Sequence, residues 1–251
     1  MDPVISSPAL PLKRTRLRAQ ERQQQILHGA IHYFAEKGFS GHTRELSKRL
    51  GIAQPLLYSY FKSKQDLIDQ VYLHVFMGRW QPHWVEQLKD TTIPFAERLI
   101  SFYRTYATAT YRPEWIRIYL FAGLEGGELN RRYLQRLKTE LLEPCCQQLR
   151  IHCGFQDERT PISELEIEFF WGLHDGIFYT AVREAVYGLP LAVSFDDKVR
   201  FAVEAFLAGA RSVYPQLLSE DRVRREAAAA SKPDIAGSLQ RVTRKRPKAA
   251  G

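Results

Sequence analysis

The sequence has few of the features that mark secreted, membrane-spanning or disulfide-stabilised proteins. Only three of its 251 residues are cysteine, Cys145, Cys146 and Cys153. This odd number provides no disulfide framework and suits a reducing compartment. No run of roughly eighteen apolar residues occurs, so no transmembrane helix is expected. The first dozen residues lack the positively charged start of a secretory signal. We therefore expect a cytoplasmic protein that does not insert into a membrane.

Recognised catalytic and metal-binding motifs are also missing. The chain contains no Gly-x-Ser-x-Gly, no phosphate-binding loop and no His-Glu-x-x-His. His28 and His32 are spaced like two metal ligands on one helix, but no nearby Asp, Cys or further His completes a site. Neighbouring residues on a helix diverge by about 100°, so one metal ion would not easily bind both Cys145 and Cys146. We expect no enzyme activity, no metal and no cofactor, and interpret these thiols as buried and inert.

The positive charge is concentrated at the two ends of the chain. The net charge of +8 divides into +3 for residues 1–25, +3 for residues 26–68, −5 for residues 69–221 and +7 for residues 222–251. A basic N-terminal part beside an acidic middle indicates that one part of the protein meets a polyanion. A solvated surface with a basic tail is the alternative that charge alone leaves open.

Helical periodicity runs through the chain from about Gln20, and no alternating apolar and polar segment predicts a strand. The first helix is expected to end at Gly38, the third to begin around Pro55, and the fourth to be capped by Ser63 and to reach Leu88. The predicted helices are 20–37, 43–50, 54–61, 64–88, 94–110, 113–122, 127–152 with a kink or break at Pro144, 161–188 and 195–218. The predicted fold class is therefore all-α.

The segment 43–61 has the spacing of a helix-turn-helix. A short helix ends at Gly51, a tight turn follows, and a second short helix begins at once. In this motif the second helix enters the major groove of DNA. Gly51 supplies the small residue that the turn needs, and Ile52 supplies the apolar residue that anchors the corner.

Residues 44–67, with the sequence RELSKRLGIAQPLLYSYFKSKQDL, strongly resemble the DNA-binding signature of the TetR family of bacterial regulators. The run FAEKGF at residues 34–39 is similar to the end of the family's first helix, and the resemblance covers about residues 20–70. It implies a homodimeric repressor that binds a palindromic operator and is released by a small molecule. The expected architecture is an N-terminal three-helix DNA-binding domain followed by a C-terminal helical domain for ligand binding and dimerisation.

Four regions follow from this interpretation. Residues 1–19 are expected to form a flexible basic arm and residues 20–68 the helix-turn-helix domain. Residues 69–221 are expected to form the ligand-binding and dimerisation domain. Residues 222–251 are rich in Ala, Lys, Arg and Pro and poor in large apolar residues, so a basic disordered tail is predicted there.

Eight residues are candidates for DNA contact. They are Arg44, Gln54, Pro55, Leu56, Tyr58, Ser59, Tyr60 and Lys64. The amide of Gln54 can pair with adenine through two hydrogen bonds. Lys64, beside the free N–H groups of a helix N-terminus, is placed to hold a phosphate.

The aromatic and aliphatic residues of the second short helix each allow two interpretations. The resemblance implies phosphate contacts for the hydroxyls of Tyr58 and Tyr60. Core packing is the alternative, although residues two apart diverge by about 200°, so both cannot face the core. Leu56 could touch a thymine methyl group or pack inside. Leu57 and Phe61 are interpreted as core.

Aromatic residues are abundant in the predicted second domain, and most are expected to fill its core. The resemblance implies a ligand cavity there, and such cavities are mostly apolar with a few polar anchors. His174 and Glu125 are polar residues that interrupt apolar helix faces. The candidate ligand-binding residues are Phe76, Trp80, Tyr103, Tyr119, Glu125, Trp171, His174 and Phe178. Core packing or a surface charge is an equally good interpretation of each one.

The expected partners are double-stranded DNA, a second copy of the chain and an unidentified small-molecule effector. The resemblance implies that the helices at about 161–188 and 195–218 form a four-helix bundle with their copies, while the alternative is that they only close the core of one chain. Two other functions remain open. One is a helix-turn-helix protein without an effector. The other is an enzyme on a helical scaffold, which would need more convergent titratable groups than His174, Asp175 and Glu125.

Overall fold

The computed structural model describes residues 18–155 and 160–230, without the side chains of 228–230, and all regular structure in these ranges is helical. This confirms the all-α prediction. The helices are α1 (Ala19–Lys37), α2 (Thr43–Arg49), α3 (Gln54–Tyr60), α4 (Lys64–Phe76), α5 (His83–Lys89), α6 (Phe95–Thr110), α7 (Pro113–Leu124), α8 (Glu128–Leu137), α9 (Glu143–His152), α10 (Glu164–Ala185) and α11 (Phe195–Ala230). None of the described helices is long and apolar enough to cross a membrane.

The fourth helix is shorter than the sequence predicts. The expectation of one helix reaching Leu88 is wrong, because α4 ends at Phe76, a single 3₁₀ turn follows over Met77–Arg79, and α5 starts only at His83. Two residues explain the break. Gly78 has a low helix propensity, and Pro82 disfavours helical geometry in the residue before it. The apolar period continues across the break, which is why periodicity alone predicts one helix.

The predicted irregularity at Pro144 is present. The helix α8 passes into one π-helical turn over Lys138–Leu142, and α9 begins at Glu143 with Pro144 in its first turn. Proline has no N–H to donate to the carbonyl of the preceding turn. A wider turn before the proline is one way in which a helix accommodates that missing bond.

The last helix is longer than predicted. It continues past 218 to Ala230, so residues 222–230, placed in the predicted disordered tail, are helical. Arginine, glutamate and alanine are strong helix formers, and Arg225 pairs with Asp221 four residues earlier. Residues 231–251 and the arm up to residue 17 lie outside the described residues. The four domain boundaries therefore stay a prediction.

The described residues group into two compact units. The first takes those within Met1–Trp80, Thr108–Tyr133 and Ala185–Gly188, and the second those within Gln81–Ala107, Leu134–Glu184 and Leu189–Gly251. In the first unit, α1 packs against α4 and α7. Ile26, Ala30 and Phe34 form an apolar stripe on α1 at helical spacing, and this stripe is fully buried.

The core of the second unit contains a buried ion pair. Both oxygens of Glu166 accept hydrogen bonds from the guanidinium of Arg150, each at 2.6 Å. The hydroxyl of Tyr214 donates to Oε1 at 2.6 Å, and the N–H of Ser163 donates to Oε2 at 2.8 Å. Burial raises the pKa of Glu166, but the hydrogen bonds from Arg150 and Tyr214 outweigh it and leave that pKa below its usual value. The network joins α9, α10 and α11.

The cysteines fit the interpretation of inert thiols. Cys145 and Cys146 are buried, and Cys153 is partly buried. Burial raises the pKa of each of the three thiols. A raised pKa keeps a thiol neutral, and the neutral thiol is a poor nucleophile and metal ligand.

Candidate nucleic-acid interface and ligand residues

The helices α2 and α3 are joined by the tight turn that the sequence predicts. Gly51 has a φ of +62°, a left-handed geometry that glycine adopts at little cost. The N–H of Ile52 donates to the carbonyl of Ser47 at 3.0 Å and closes the turn. Pro55 lies in the first turn of α3, where its missing N–H breaks no helical bond.

One face of α3 is buried and the other is open. Leu57 and Phe61 are almost completely buried, which confirms their interpretation as core. Leu56 and Tyr58 are each 39% exposed, so neither packs in the core. Pro55 and Ser59 are also exposed, while Gln54 and Tyr60 are half-buried. The predicted DNA contacts of α3 thus occupy its accessible side.

A buried threonine links two of these residues. The amide Nε2 of Gln54 donates to Oγ1 of Thr43 at 3.0 Å, and the same oxygen lies 3.0 Å from the hydroxyl of Tyr58. Thr43 is the first residue of α2 and is 7% exposed. No pattern in the sequence marks Thr43, because its partners lie 11 and 15 residues further along the chain, across a turn, and such a separation has no periodic signal.

The first turn of α4 has the predicted cap. Oγ of Ser63 accepts a hydrogen bond from the N–H of Asp66 at 3.0 Å, and the Asp66 carboxylate accepts one from the N–H of Lys62 at 2.8 Å. Lys64 is the first residue of this helix and is half-buried. Arg44, the second residue of α2, is exposed.

Helix α7 is attached to the end of α1. Nε of Arg117 donates to the carbonyl of Ala35, and its guanidinium lies 5.9 Å from the ring centre of Phe121. The Phe121 ring is so close to Gly38 that an added Cβ would meet it at 3.0 Å. The C-terminal end of α1, immediately before α2, is therefore held by α7. These contacts join residues far apart in the chain, and no local pattern predicts them.

Four of the predicted ligand residues lie in the first unit. Phe76 stacks on Tyr72 with ring centres 4.1 Å apart, and Tyr119 stacks on Trp115 at 5.2 Å. Trp80 is also buried. Glu125 is exposed at the end of α7 and borders a small cavity of about 200 Å³.

The other four lie in the second unit, around a buried histidine. The ring centre of His174 lies 5.3 Å from that of Trp171 and 5.9 Å from that of Tyr103. Phe178, one turn further along α10, is half-buried. The hydroxyl of Tyr103 and Nδ1 of His174 are both buried, and neither has a hydrogen-bond partner within 18–155 and 160–230. Burial lowers the pKa of His174 to about 4.

The pKa of His174 predicts a loss of stability in acid. Folded protein keeps this imidazole neutral to about pH 4, whereas its usual pKa is 6.5. Between these values the unfolded state binds more protons, so stability falls as the pH falls. From pH 7 to pH 5 we expect this group to lower the free energy of unfolding by about 2 kcal/mol.

Urea denaturation of His174→Leu at both pH values checks this expectation. In His174→Leu, the free energy of unfolding should no longer fall by this amount between pH 7 and pH 5. In His83→Leu, which replaces an exposed histidine, the fall should remain. An equal loss of stability on acidification in wild type and His174→Leu would contradict the prediction.

A larger cavity lies elsewhere in the second unit. Its volume is about 460 Å³. It is lined by Arg150, Phe155, Thr160, Pro215, Leu218, Ser219, Asp221, Arg222, Arg225 and Glu226. None of the eight predicted ligand residues borders it.

Comparison with known proteins shows similarity to bacterial transcriptional regulators in the N-terminal part of the chain. Residues 26–71 match the family model described as bacterial regulatory proteins, tetR family. The chain is 31% identical over 77 residues to the HTH-type transcriptional regulator LuxR of Vibrio harveyi, covering 30% of this chain and 35% of the relative. It is 33% identical over 61 residues to the HTH-type transcriptional regulator AcrR of Shigella flexneri, covering 24% and 28%. The matched parts thus span about a third of these relatives' lengths.

Solved structures extend the similarity to most of the chain. A TetR-family transcriptional regulator from Streptomyces coelicolor has a TM-score of 0.53 and 15% identity, covering 86% of this chain and 100% of the other. A TetR-family regulator from Pseudomonas syringae pv. tomato has a TM-score of 0.51 and 16% identity, covering 77% and 96%. At such low identity the likeness shows the fold, an N-terminal helix-turn-helix followed by a helical C-terminal part.

Proposed function

We propose that this chain, whose residues 26–71 match the family model described as bacterial regulatory proteins, tetR family, is a DNA-binding transcriptional regulator, a repressor that acts as a homodimer in the cytoplasm and is released from DNA by a small molecule. The observation that carries the proposal is the helix-turn-helix of α2 and α3. Its turn is closed around Gly51, and the candidate contact residues of α3 lie on the accessible side of the helix.

The candidate residues divide into two kinds of DNA contact. Arg44, Lys64 and the hydroxyls of Tyr58, Ser59 and Tyr60 would contact phosphates, which position the protein without reading sequence. Gln54 would read a base edge in the major groove. Pro55 and Leu56 would lie against thymine methyl groups, since both present apolar surface beside Gln54.

The outer faces of α10 and α11 support a dimer. On α10 the exposed stripe includes Gly172, Gly176 and Tyr179. On α11 the exposed stripe consists of Phe201, Ala205, Ala208, Gly209 and Ser212. A Cβ added at Gly172, Gly176 or Gly209 would meet no atom of the described part of the chain within 4 Å. Small residues allow close approach of another helix, and the exposed apolar side chains favour burial against one. A four-helix bundle with a second copy satisfies both.

Tyr103 and His174 are the strongest candidates for the effector site. A buried polar group without a partner costs about 1–3 kcal/mol, and two such groups, unpartnered within 18–155 and 160–230, belong to side chains whose ring centres lie 5.9 Å apart. The low pKa of His174 keeps this side chain neutral, so it does not attract an anion. An uncharged, largely apolar molecule would fit, if it carries a hydroxyl or carbonyl group that pairs with the two side chains.

Within the first unit, the proposed coupling to DNA binding runs through α7. The single helix to Leu88 that the sequence predicts cannot transmit this coupling, because α4 ends at Phe76. The attachment of α7 to the end of α1 by Arg117 and Phe121 supplies another path, since a displacement of α7 would move α1 and the adjoining α2. Effector and DNA would then weaken each other's binding by the same factor.

The proposal is tested by selecting DNA with the full-length protein from a randomised duplex pool and measuring its affinity for the enriched sequence. We expect a near-palindrome, because a two-fold symmetric dimer presents two equivalent recognition helices. Lys64→Ala should reduce the salt dependence of binding by about one unit of slope per half-site. Lys89→Ala, at an exposed lysine of α5, should leave the slope unchanged. A pool that yields no enriched sequence would refute the function.

A further inference from the structure

The hydroxyl of Thr43 connects two side chains with different proposed tasks, Gln54 for base reading and Tyr58 for phosphate contact. We propose that Thr43 is a positioning residue that couples the two, so that base discrimination by Gln54 depends on the hydrogen-bonded link to Tyr58. The inference rests on the proposed function. Its evidence is the pair of 3.0 Å contacts at Oγ1 of Thr43 and the burial of this side chain.

The bond to Thr43 orients the amide of Gln54. A glutamine amide carries two N–H hydrogens and one carbonyl oxygen. Thr43 holds one hydrogen, which leaves the second hydrogen and the oxygen as a neighbouring donor and acceptor. Adenine presents the complementary pair, N7 and the N6 amino group, in the major groove. Holding the long side chain before DNA arrives also reduces the conformational entropy lost on binding.

The same hydroxyl prepares Tyr58 for a phosphate. Since Gln54 donates to Thr43, the hydroxyl hydrogen of Thr43 is available to Tyr58. When it is donated to the tyrosine oxygen, the hydrogen of Tyr58 points away, toward a phosphate oxygen. Hydrogen bonds in such a chain polarise and strengthen one another. Contact of Tyr58 with the DNA backbone would therefore strengthen the hydrogen bond between Gln54 and Thr43.

A purely structural role predicts a different result. If Thr43 only ties α2 to α3, losing its hydroxyl would weaken binding to every sequence by the same factor. If Thr43 positions Gln54, losing its hydroxyl would reduce the discrimination between bases at one base pair per half-site. Discrimination between bases at the position that Gln54 reads therefore separates the two roles.

The experiment measures affinities of the full-length protein for the duplex enriched from the randomised pool and for its single-base-pair variants. Thr43→Val keeps the shape of the side chain and removes the hydroxyl. At the base pair that the Gln54→Ala variant identifies, Thr43→Val should lower the discrimination between bases by on the order of tenfold. Discrimination at the other base pairs should stay unchanged. Thr43→Ser should restore the discrimination at the Gln54 base pair. Adding Gln54→Ala to Thr43→Val should cause no further loss there.

Tyr58→Phe tests the coupling by removing the hydroxyl at the other end of the link. Tyr58 is exposed, so this change does not threaten folding. It should weaken all binding and also reduce discrimination at the Gln54 base pair, whereas Lys64→Ala should weaken binding uniformly. Uniform weakening by both Thr43→Val and Tyr58→Phe, or unchanged discrimination, would overturn the inference and leave the proposed function intact. Failure to enrich any sequence would instead remove the proposed function.

Discussion

Glu166→Gln is expected to lower the free energy of unfolding by about 3–5 kcal/mol, because it leaves the buried guanidinium of Arg150 without its counter-charge. The side chain of Glu166 is fully buried and that of Arg150 is 6% exposed. Each oxygen of Glu166 accepts from two donors. A glutamine would place an NH₂ group against one of these pairs of donors, so it cannot replace the carboxylate.

Urea denaturation followed by circular dichroism measures this change. Glu164→Gln is the matched control, since Glu164 pairs with Lys138 at 2.7 Å while its side chain is 79% exposed. Such a surface pair contributes about 0–1 kcal/mol. The double variant Arg150→Met, Glu166→Leu should be more stable than Glu166→Gln, because it removes both charges. If Glu166→Gln behaved like Glu164→Gln, the ion pair would not stabilise the second unit as described.

Ala208→Arg is expected to convert the protein to a monomer at micromolar concentration and to weaken operator binding by roughly 10²–10⁴-fold. Ala208 lies in the middle of the exposed stripe of α11, where a second copy is proposed to pack. A buried arginine without a partner opposes that packing. A dimer that binds two half-sites at once gains affinity by a factor of this size. A monomer, with one recognition helix, lacks that gain.

Analytical ultracentrifugation reports the oligomeric state, and titrations with the enriched duplex and with a single half-site report the affinity. Arginine is a good helix former, so α11 should keep its helix content. Gln135→Arg adds the same charge at an exposed residue of α8 and should change neither measurement. If Ala208→Arg sediments as a dimer and binds as tightly as wild type, α11 does not form the interface.

Short-range interactions explain why the N-terminal part could be predicted from the sequence. Gly51, Pro55 and Ser63 each act on backbone within one helical turn, so their residue types alone place a turn, a helix start and a cap. The apolar stripe of α1 has a period that belongs to a helix in any context. The resemblance added the proposed DNA contacts of the α3 residues, which local physics does not supply.

Tertiary structure decided the features that depend on side chains meeting across the fold. The contacts of Thr43 with Gln54 and Tyr58, of Glu166 with Tyr214, and of Arg117 with Ala35 join positions 11 to 82 residues apart. Nothing in the periodicity of either partner marks such a pair, because the meeting point depends on how whole helices pack. The exposure of Leu56 was settled in the same way, since its hydrophobicity suits a core as well as a surface. The sequence by itself therefore determined the all-helical class and the helix-turn-helix, whereas packing determined which polar groups are paired and which, like those of Tyr103 and His174, are buried without a partner among residues 18–155 and 160–230.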